Sequence, residues 1–512
     1  MNIGSSYAVQ MRDISKSFGK IVALNKINID IKKGSIHAIL GENGAGKTTL
    51  MNILYGLFKK DSGEIFIKGK KTNIKNSQTA IKNGIGMVHQ HFKLINNFTV
   101  LQNIMLGCEI TNHFGFLKIK SAGKKITELS KKYNLDIELD AKIEDISMGM
   151  QQRVEILKTL YRGADILIFD EPTAVLTPKE TDELLKIMQN LSNDGKTIII
   201  ITHKLKEIKK AADFCTIIRT GTVIDTLDVK TTPIDELAKK MIGQNLNFNI
   251  TKNDHEFGEV IFEIDNLCVE NKKTRNLNAI NKLSLKIRKG EIFGIAGVDG
   301  NGQKELIEAI TNLTKVKSGS IKINGYEIQN TNIKNVINHK ISTIHDDRHA
   351  RGIILDMSVK ENSILENYKL NPISKNGILN QKSIGKFTNS LLNKYSVKPM
   401  GCSNFKIRDL SGGNQQKVVI GREIANDPEL LIAVQPTRGL DIGAIKYVHE
   451  LLIEQRNKGK AVLLISLELD EILDISDTIA VIYNGEISNT FKQSEVDEKA
   501  LGVLMAGGKI NG

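Results

Sequence analysis

Tryptophan is absent from this 512-residue sequence, and aromatic residues make up only 5% of it. Surfaces that read single-stranded nucleic acid stack bases on aromatic side chains, so that class of partner is disfavoured at the outset. Cysteine is scarce as well. Its four copies, Cys108, Cys215, Cys268 and Cys402, include no Cys-x-x-Cys pair. Neither a zinc site nor a disulfide framework is therefore expected, and a reducing cytoplasm is the natural setting. Long apolar runs are missing too. Stretches such as Thr197–Ile201 are strand-length, whereas a helix crossing a bilayer needs about 20 residues. Asp13 falls where a secretory signal would continue its apolar core, so secretion is not expected.

What is present is charge, 25% of residues with a net +13. The lysines come as pairs, among them Lys59-Lys60, Lys70-Lys71 and Lys124-Lys125, rather than as blocks. That spread reads as many solvated faces, not as one nucleic-acid or membrane patch. The length calls for two to four domains.

A complete phosphate-binding loop, G-x-x-x-x-G-K-[ST], occupies Gly41–Thr48, with a second threonine at Thr49. An apolar run, Ile36–Leu40, precedes it and a helical pattern from Leu50 follows. Strand, glycine loop and helix are the context the motif needs: backbone N–H groups of Gly41, Asn43, Gly44 and Gly46 turn onto a polyphosphate at a helix N-terminus. Lys47 would reach the β- and γ-phosphates, and the Thr48 hydroxyl would ligate Mg2+.

Much of the chain then occurs twice. Gly41–Gly46 returns as Gly297–Gly302, and Val88-His89 as Ile344-His345, both offset by 256. Ser147-x-Gly149-x-Gln151-Gln152 returns as Ser411-x-Gly413-x-Gln415-Gln416, and Pro172-Thr173 as Pro436-Thr437, offset by 264. Two related α/β domains follow, residues 1–245 and 258–512, with a polar linker at 246–257 and a net gain of eight residues between 346 and 410. Within the first half, Ile36–Leu40, Ile166–Phe169 and Thr197–Ile201 read as buried parallel strands. Ala8–Ile14 and Ile27–Ile31 read as an antiparallel edge, and residues 91–160, with 3.6-period stretches at Lys124–Tyr133 and Gln151–Leu160, as a helical subdomain.

The first half also carries the remaining parts of a nucleotide site. Phe18 lies the right distance ahead of the loop to stack on an adenine ring. Gln90 follows a strand and can reach Mg2+ or an attacking water. Asp170 and Glu171 end an apolar run, the first suited to the Mg2+ shell and the second to polarising a water for in-line attack. His203 follows the strand that ends at Ile201 and is placed for the γ-phosphate. The Ser-x-Gly-x-Gln-Gln element opens a helix, which suggests a phosphate bound on a partner domain.

Phosphate loop, glutamine loop, Leu410–Gln415 signature, Asp-Glu strand end and histidine together resemble the ATP-binding-cassette ATPases over nearly the whole chain. More narrowly, the sequence resembles the tandem subunits that energise bacterial simple-sugar and nucleoside importers. The strings Met87–Phe92, Gly297–Gln303, Asp347–His349 and Gln435–Asp441 resemble the nucleoside branch. The resemblance implies two P-loop domains, each with an antiparallel edge and a helical subdomain. It also implies ATP and Mg2+, two integral-membrane permease subunits, an extracytoplasmic solute-binding (lipo)protein, no nucleic-acid partner, and a place at the cytoplasmic face of the cell membrane. In that family two cassettes close head to tail, one domain's phosphate loop facing the other's signature.

The second half departs from the pattern. Gln303 stands for Lys47, Lys304 for Thr48, Glu305 for Thr49, Asp346 for Gln90, Val434 for Asp170, Gln435 for Glu171 and Leu467 for His203. The first half fails elsewhere: Met148 replaces Gly412 in its signature, and Ala174–Thr177 lacks the Gly439-Leu440-Asp441 of the second half. Under head-to-tail pairing the defects segregate. One set is intact (Lys47, Thr48, Asp170, Glu171 and His203 with Ser411, Gly412, Gly413 and Asp441) and one is lost. The leading expectation is an importer ATPase for nucleosides, with a ribose- or galactose-type importer as the alternative. A soluble tandem-cassette protein is disfavoured by the short linker and by Val434-Gln435.

Overall fold

In the computed structural model, strands β1 (Tyr7–Phe18) and β2 (Ile21–Lys32) form a long hairpin, and β4 (Ser62–Ile67) with β5 (Lys70–Lys71) extends it into an antiparallel sheet of order β2-β1-β4-β5. A second sheet, ordered β10-β9-β3-β8-β7-β6, contains β3 (Ile36–Leu40), β6 (Ile85–Val88), β7 (Ile166–Asp170), β8 (Thr197–Ile201), β9 (Phe214–Arg219) and β10 (Thr222–Asp228). Neighbours from β9 to β6 are parallel and only β10 runs antiparallel. Every residue of β3, β6, β7 and β8 is buried. This is why these strands read as unbroken apolar runs: both faces of a parallel sheet are covered. The apolar core beneath β1, β2 and β4 also takes in Leu50, Met51 and Leu54 of helix Lys47–Tyr55.

The structure describes residues 6–19, 21–42, 44–89, 92–111, 114–173, 176, 178–202, 204–242, 252, 256–271, 277–440, 442–505 and 507–508. Asn43, Gln90, His203 and Asp441, and all of the 246–257 stretch except Lys252, Glu256 and Phe257, lie outside them. The chain divides into two compact units, Met1–Leu246 and Asn247–Gly512. No helix among the described residues is long and apolar enough to cross a membrane.

Between β6 and β7 of unit 1 the described residues include three α-helices, Val100–Met105, Ile119–Tyr133 and Met148–Tyr161. The sequence pattern places two of these at Lys124–Tyr133 and Gln151–Leu160. Both begin earlier than that, because apolar periodicity does not mark a first turn. Ser147 caps Met148–Tyr161 by accepting from the Met150 amide, which a serine does well at that position.

Unit 2 repeats the plan. Its antiparallel sheet is β12-β11-β14-β15, from β11 (Val260–Glu270), β12 (Asn278–Arg288), β14 (Ser318–Ile323) and β15 (Tyr326–Glu327). Its main sheet is β16-β19-β20-β13-β21-β22. The strands are β13 (Ile292–Ala296), β16 (Ile341–Ile344), β19 (Leu430–Val434), β20 (Ala461–Ser466), β21 (Thr478–Tyr483) and β22 (Glu486–Lys492). The eight-residue gain is in two parts. Asn103 and Asn362 make the same loop-closing bonds, to Ile95 and Ile354, and their offset is 259 rather than 256. Three residues are therefore added before Ile354, where a single π-turn spans Arg348–Gly352. The other five fall between Ser358 and Lys406, which bridge each other as Thr99 and Lys142 do. A small hairpin of β17 (Ser374–Lys375) and β18 (Ile378–Leu379) lies in that interval.

One buried ion pair anchors the strand that leads to the second glycine loop. The Arg456 guanidinium, 2% exposed, donates to both oxygens of buried Asp477 at 3.2 and 3.0 Å, and Asp477 accepts from the Ile292 amide at 2.9 Å. Arg456→Ala leaves the buried Asp477 carboxylate with the Lys252 ammonium at 3.1 Å as its remaining cation, so it should destabilise the fold by about 2 kcal/mol or more. A lowered urea midpoint in a denaturation series checks this.

Candidate functional site

The glycine loop of unit 1 leaves β3 and closes on its own lysine. Lys47 Nζ donates to the carbonyls of Gly41 at 2.7 Å and Glu42 at 2.9 Å, and the side chain is buried. Two glycines are sterically required here. A Cβ on Gly41 would lie 2.2 Å from the Ile218 carbonyl oxygen. On Gly46, held at φ +102°, it would lie 2.7 Å from the Ala23 carbonyl oxygen. The hairpin β1–β2 and the strand β9 thus press against the loop from outside, and only hydrogen fits. Phe18 ends β1 opposite Ile21, two residues before Ala23. It is 45% exposed, its ring meets Phe58 edge-on with centroids 5.4 Å apart, and the Lys16 ammonium lies over the ring at 5.4 Å from its centroid.

Asp170 is the last residue of β7, separated from β3 by β8 alone. The parallel registers Asp170↔Ile201 and Ile39↔Ile201 bring it level with the start of the glycine loop. Thr48 Oγ1 donates to Asp170 Oδ1 at 3.4 Å. Burial, reinforced by the neighbouring Glu171 charge, pushes the Asp170 carboxyl up to about 6. Burial also holds the Lys47 ammonium below its usual value, opposed by attraction to Glu171, Asp170 and Glu42. A hydroxyl, a strand-end carboxylate and an ammonium converge where the loop opens. Two hard oxygen donors suit Mg2+, which keeps several of its waters.

Glu171 is held at φ +45° with its amide donating to the Ile201 carbonyl at 2.9 Å. A left-handed glutamate is uncommon and marks a position set by the turn. Gln435 occupies the same conformation in unit 2, φ +43°, with its amide on the Ile465 carbonyl at 2.7 Å. The turn survives the loss of the acid. The same holds for the loop: Gly300 and Gly302 keep φ +89° and +105°, and Gln303 Nε2 donates to Val298 at 3.0 Å, the counterpart of the Lys47 bond to Glu42. A neutral amide does the structural half of the lysine's work and none of the electrostatic half. Lys304 is exposed and Val434 is buried, so neither restores the lost functions.

Each signature opens a helix. Ser147 and Ser411 accept from the third amide of their helices, at 3.3 and 3.4 Å. Met148 is 46% exposed at the first helical position, where unit 2 has Gly412. The paired glutamines of this element are structural: Gln152 and Gln416 each donate to the carbonyl of the proline two residues past the equivalent strand, Pro172 after β7 at 2.7 Å and Pro436 after β19 at 2.8 Å. Their repetition in the sequence shows that they matter but not where they point. Another feature without a sequence signal is a cavity of about 100 Å3 beside His89, lined also by Tyr55, Glu155, Lys158 and Arg162. It sits against β6 and helix Met148–Tyr161.

Burial pushes the Asp170 carboxyl of the folded chain from its ordinary 3.8 up to about 6. Between those values the folded state holds the extra proton, so this group makes stability fall as pH rises from about 4 to about 6, with no further change above. Asp170→Asn should remove that slope, and melting temperatures of the nucleotide-free chain across this pH range check it.

The family model described as ABC transporter matches residues 24–174 and 280–438, once in each unit. The nucleoside import ATP-binding protein NupA of Lactococcus lactis subsp. cremoris (strain MG1363) is 51% identical, covering 98% of this chain and 99% of that protein. The guanosine import ATP-binding protein NupO of Bacillus subtilis (strain 168) is 52% identical, covering 99% and 100%. A chain in the crystal structure of the complex of archaeal ribosomal stalk protein aP1 and archaeal ribosome recycling factor aABCE1 superposes with a TM-score of 0.61. It covers 94% of this chain and 90% of that one at 19% identity, a likeness of fold alone. With a cassette match in each half and half its residues shared with full-length relatives, this chain belongs to the ABC transporter family as a tandem ATP-binding subunit.

Proposed function

We propose that the chain is the ATPase that drives import of a nucleoside. The observation that carries this reading is the asymmetry of charge between two matching scaffolds. Lys47, Thr48, Asp170 and Glu171 face one glycine loop, whereas Gln303, Lys304, Val434 and Gln435 stand at the same places in the other unit. Residues 1–245 act as the cassette that holds ATP for hydrolysis, and residues 258–512 as the cassette that contributes the signature. Turnover then draws on one working set of motifs: phosphate loop and carboxylates from unit 1, Ser411, Gly412, Gly413 and Asp441 from unit 2. The choice of nucleoside over sugar is supported by the names of the relatives at 51% and 52% identity.

The chemistry is hydrolysis of the γ-phosphoanhydride of ATP by water. Backbone amides of Gly41–Gly46 and the Lys47 ammonium bind the phosphates, and Phe18 offers an aromatic face to the base. Thr48, Asp170 and Gln90 are the residues that would hold Mg2+, which neutralises phosphate charge when bound. Glu171 orients the attacking water and accepts its proton, and His203 steadies the γ-phosphate. Glu171 suits that role because the left-handed turn fixes where its side chain starts.

A chain without a membrane-spanning helix among its described residues must act on membrane subunits to move a solute. The helical subdomain between β6 and β7 suits a cytoplasmic loop of a permease. Two permease subunits and an extracytoplasmic solute-binding lipoprotein complete the assembly, with this chain at the cytoplasmic face of the membrane.

In membranes from cells carrying the complete transporter, Glu171→Gln should slow ATP turnover by about 10²–10⁴-fold, with Gln303→Ala and Gln435→Ala nearly silent. Turnover that survives Glu171→Gln overturns the catalytic assignment. In the same cells, deletion of the chain should abolish ATP-dependent uptake of labelled guanosine and spare labelled ribose; the reverse pattern selects the sugar importer.

A further inference from the structure

The three residues added before Ile354 in unit 2 form a π-turn, Arg348–Gly352, directly after the strand β16. Single π-turns are uncommon and often mark functional positions. This one is held open by Asp347, whose Oδ1 accepts from the amides of His349 and Ala350 at 2.9 and 3.1 Å. Its first two side chains point at the signature helix. Arg348 Nε donates to Gln415 Oε1 at 3.5 Å, and His349 Nε2 lies 2.9 Å from the same oxygen. The orientation of that amide is settled by its other end, since Gln415 Nε2 donates to the carbonyls of Ile407 at 3.2 Å and Leu410 at 3.0 Å. Oε1 is therefore the acceptor, and His349 donates to it. Arg348 Nη1 reaches the Arg438 carbonyl at 3.3 Å, in the turn that follows Pro436-Thr437.

One guanidinium thus bridges the signature helix and the segment leading to Asp441. It also bounds the signature itself. A Cβ on Gly412 would lie 2.8 Å from Arg348 Nη2, so a side chain at this place would push the guanidinium off its bonds. In unit 1 the three added residues are absent, no arginine occurs between His89 and Ile95, and the residue at the position of Gly412 is Met148. The insertion and the intact signature occur in the same unit, the one that has lost its phosphate-binding charges.

We infer that Arg348, seated by the π-turn and assisted by His349, is a positioning residue that locks Ser411–Gly413 in register with the turn at Arg438, so that unit 2 acts as a rigid signature donor. This rests on the reading that unit 2 supplies the signature for turnover. A residue of this kind sets the geometry of the chemical step more than the affinity for ATP, because ATP is held mainly by the phosphate loop.

The test is ATP turnover in membranes carrying the complete transporter. Arg348→Ala should lower kcat by about tenfold with KM for ATP held within about twofold, and Arg348→Lys should recover only part of the loss, since lysine lacks the planar fork. Gly412→Ala should also lower kcat, and the double variant should be no worse than Gly412→Ala alone, as expected of residues that act through one contact. The proposal is overturned by wild-type kcat in Arg348→Ala, by losses that multiply in the double variant, or by a fall in melting temperature that accounts for the lost activity. If Arg348→Ala does not fold, Arg348→Lys decides alone: a reduced kcat at unchanged KM supports the lock, and wild-type kcat overturns it. Ser411→Ala separates the two levels. If it is inactive while Arg348→Ala is normal, only the lock fails; if Ser411→Ala turns over normally, the assignment of unit 2 as signature donor fails.

Discussion

A buried ammonium facing two carboxylates is the interaction on which unit 1 depends. Lys47 can be buried because its loop supplies two carbonyl acceptors and because Asp170 and Glu171 lie close enough to favour its charge. The Asp170 carboxylate tolerates burial poorly by itself, as its raised pKa shows. The set is therefore poised for a ligand that brings both negative phosphates for Lys47 and positive charge for Asp170. A nucleotide with its metal satisfies both demands at once, which a simple anion or a lone cation does not.

Unit 2 shows what remains when that electrostatic demand is removed. The glycine loop, the left-handed residue after the strand end and the hydrogen bond closing the loop all persist, with Gln303 and Gln435 in place of Lys47 and Glu171. The backbone of this scaffold is thus held by steric closeness and peptide hydrogen bonds, not by the charges of the site. Evolution of such a unit can discard chemistry without unfolding, because the buried sheet and the Arg456–Asp477 pair lie outside the loop. What it keeps, and adds to, is the signature end.

Several features were legible from residue strings because they are local. A parallel strand buried on both faces announces itself as an apolar run, and Thr197–Ile201 was placed to the residue. Repetition at offsets of 256 and 264 revealed two related halves before any contact was known. Helix starts were less legible, since Ile119 and Met148 begin helices whose apolar pattern starts later. The glutamine pair at Gln151-Gln152 looked like part of a ligand-facing motif, yet Gln152 turns inward to the Pro172 carbonyl. A string records that a residue is kept in both halves and does not record the direction of its side chain.

By itself the sequence determined the class of chemistry and where its charges are missing, because a phosphate loop is a contiguous run whose backbone and side chains act within one turn of chain. Only the tertiary structure decided what stands opposite that run. Thr48 and Asp170 are 122 residues apart and meet at 3.4 Å because crossover connections place β3, β8 and β7 side by side in one parallel sheet. Arg348 and Gln415, 67 residues apart, meet because three added residues wind into a π-turn against the signature helix. Such meetings depend on strand order and on a local change of helical pitch, and neither is written in the spacing of residue types along the chain.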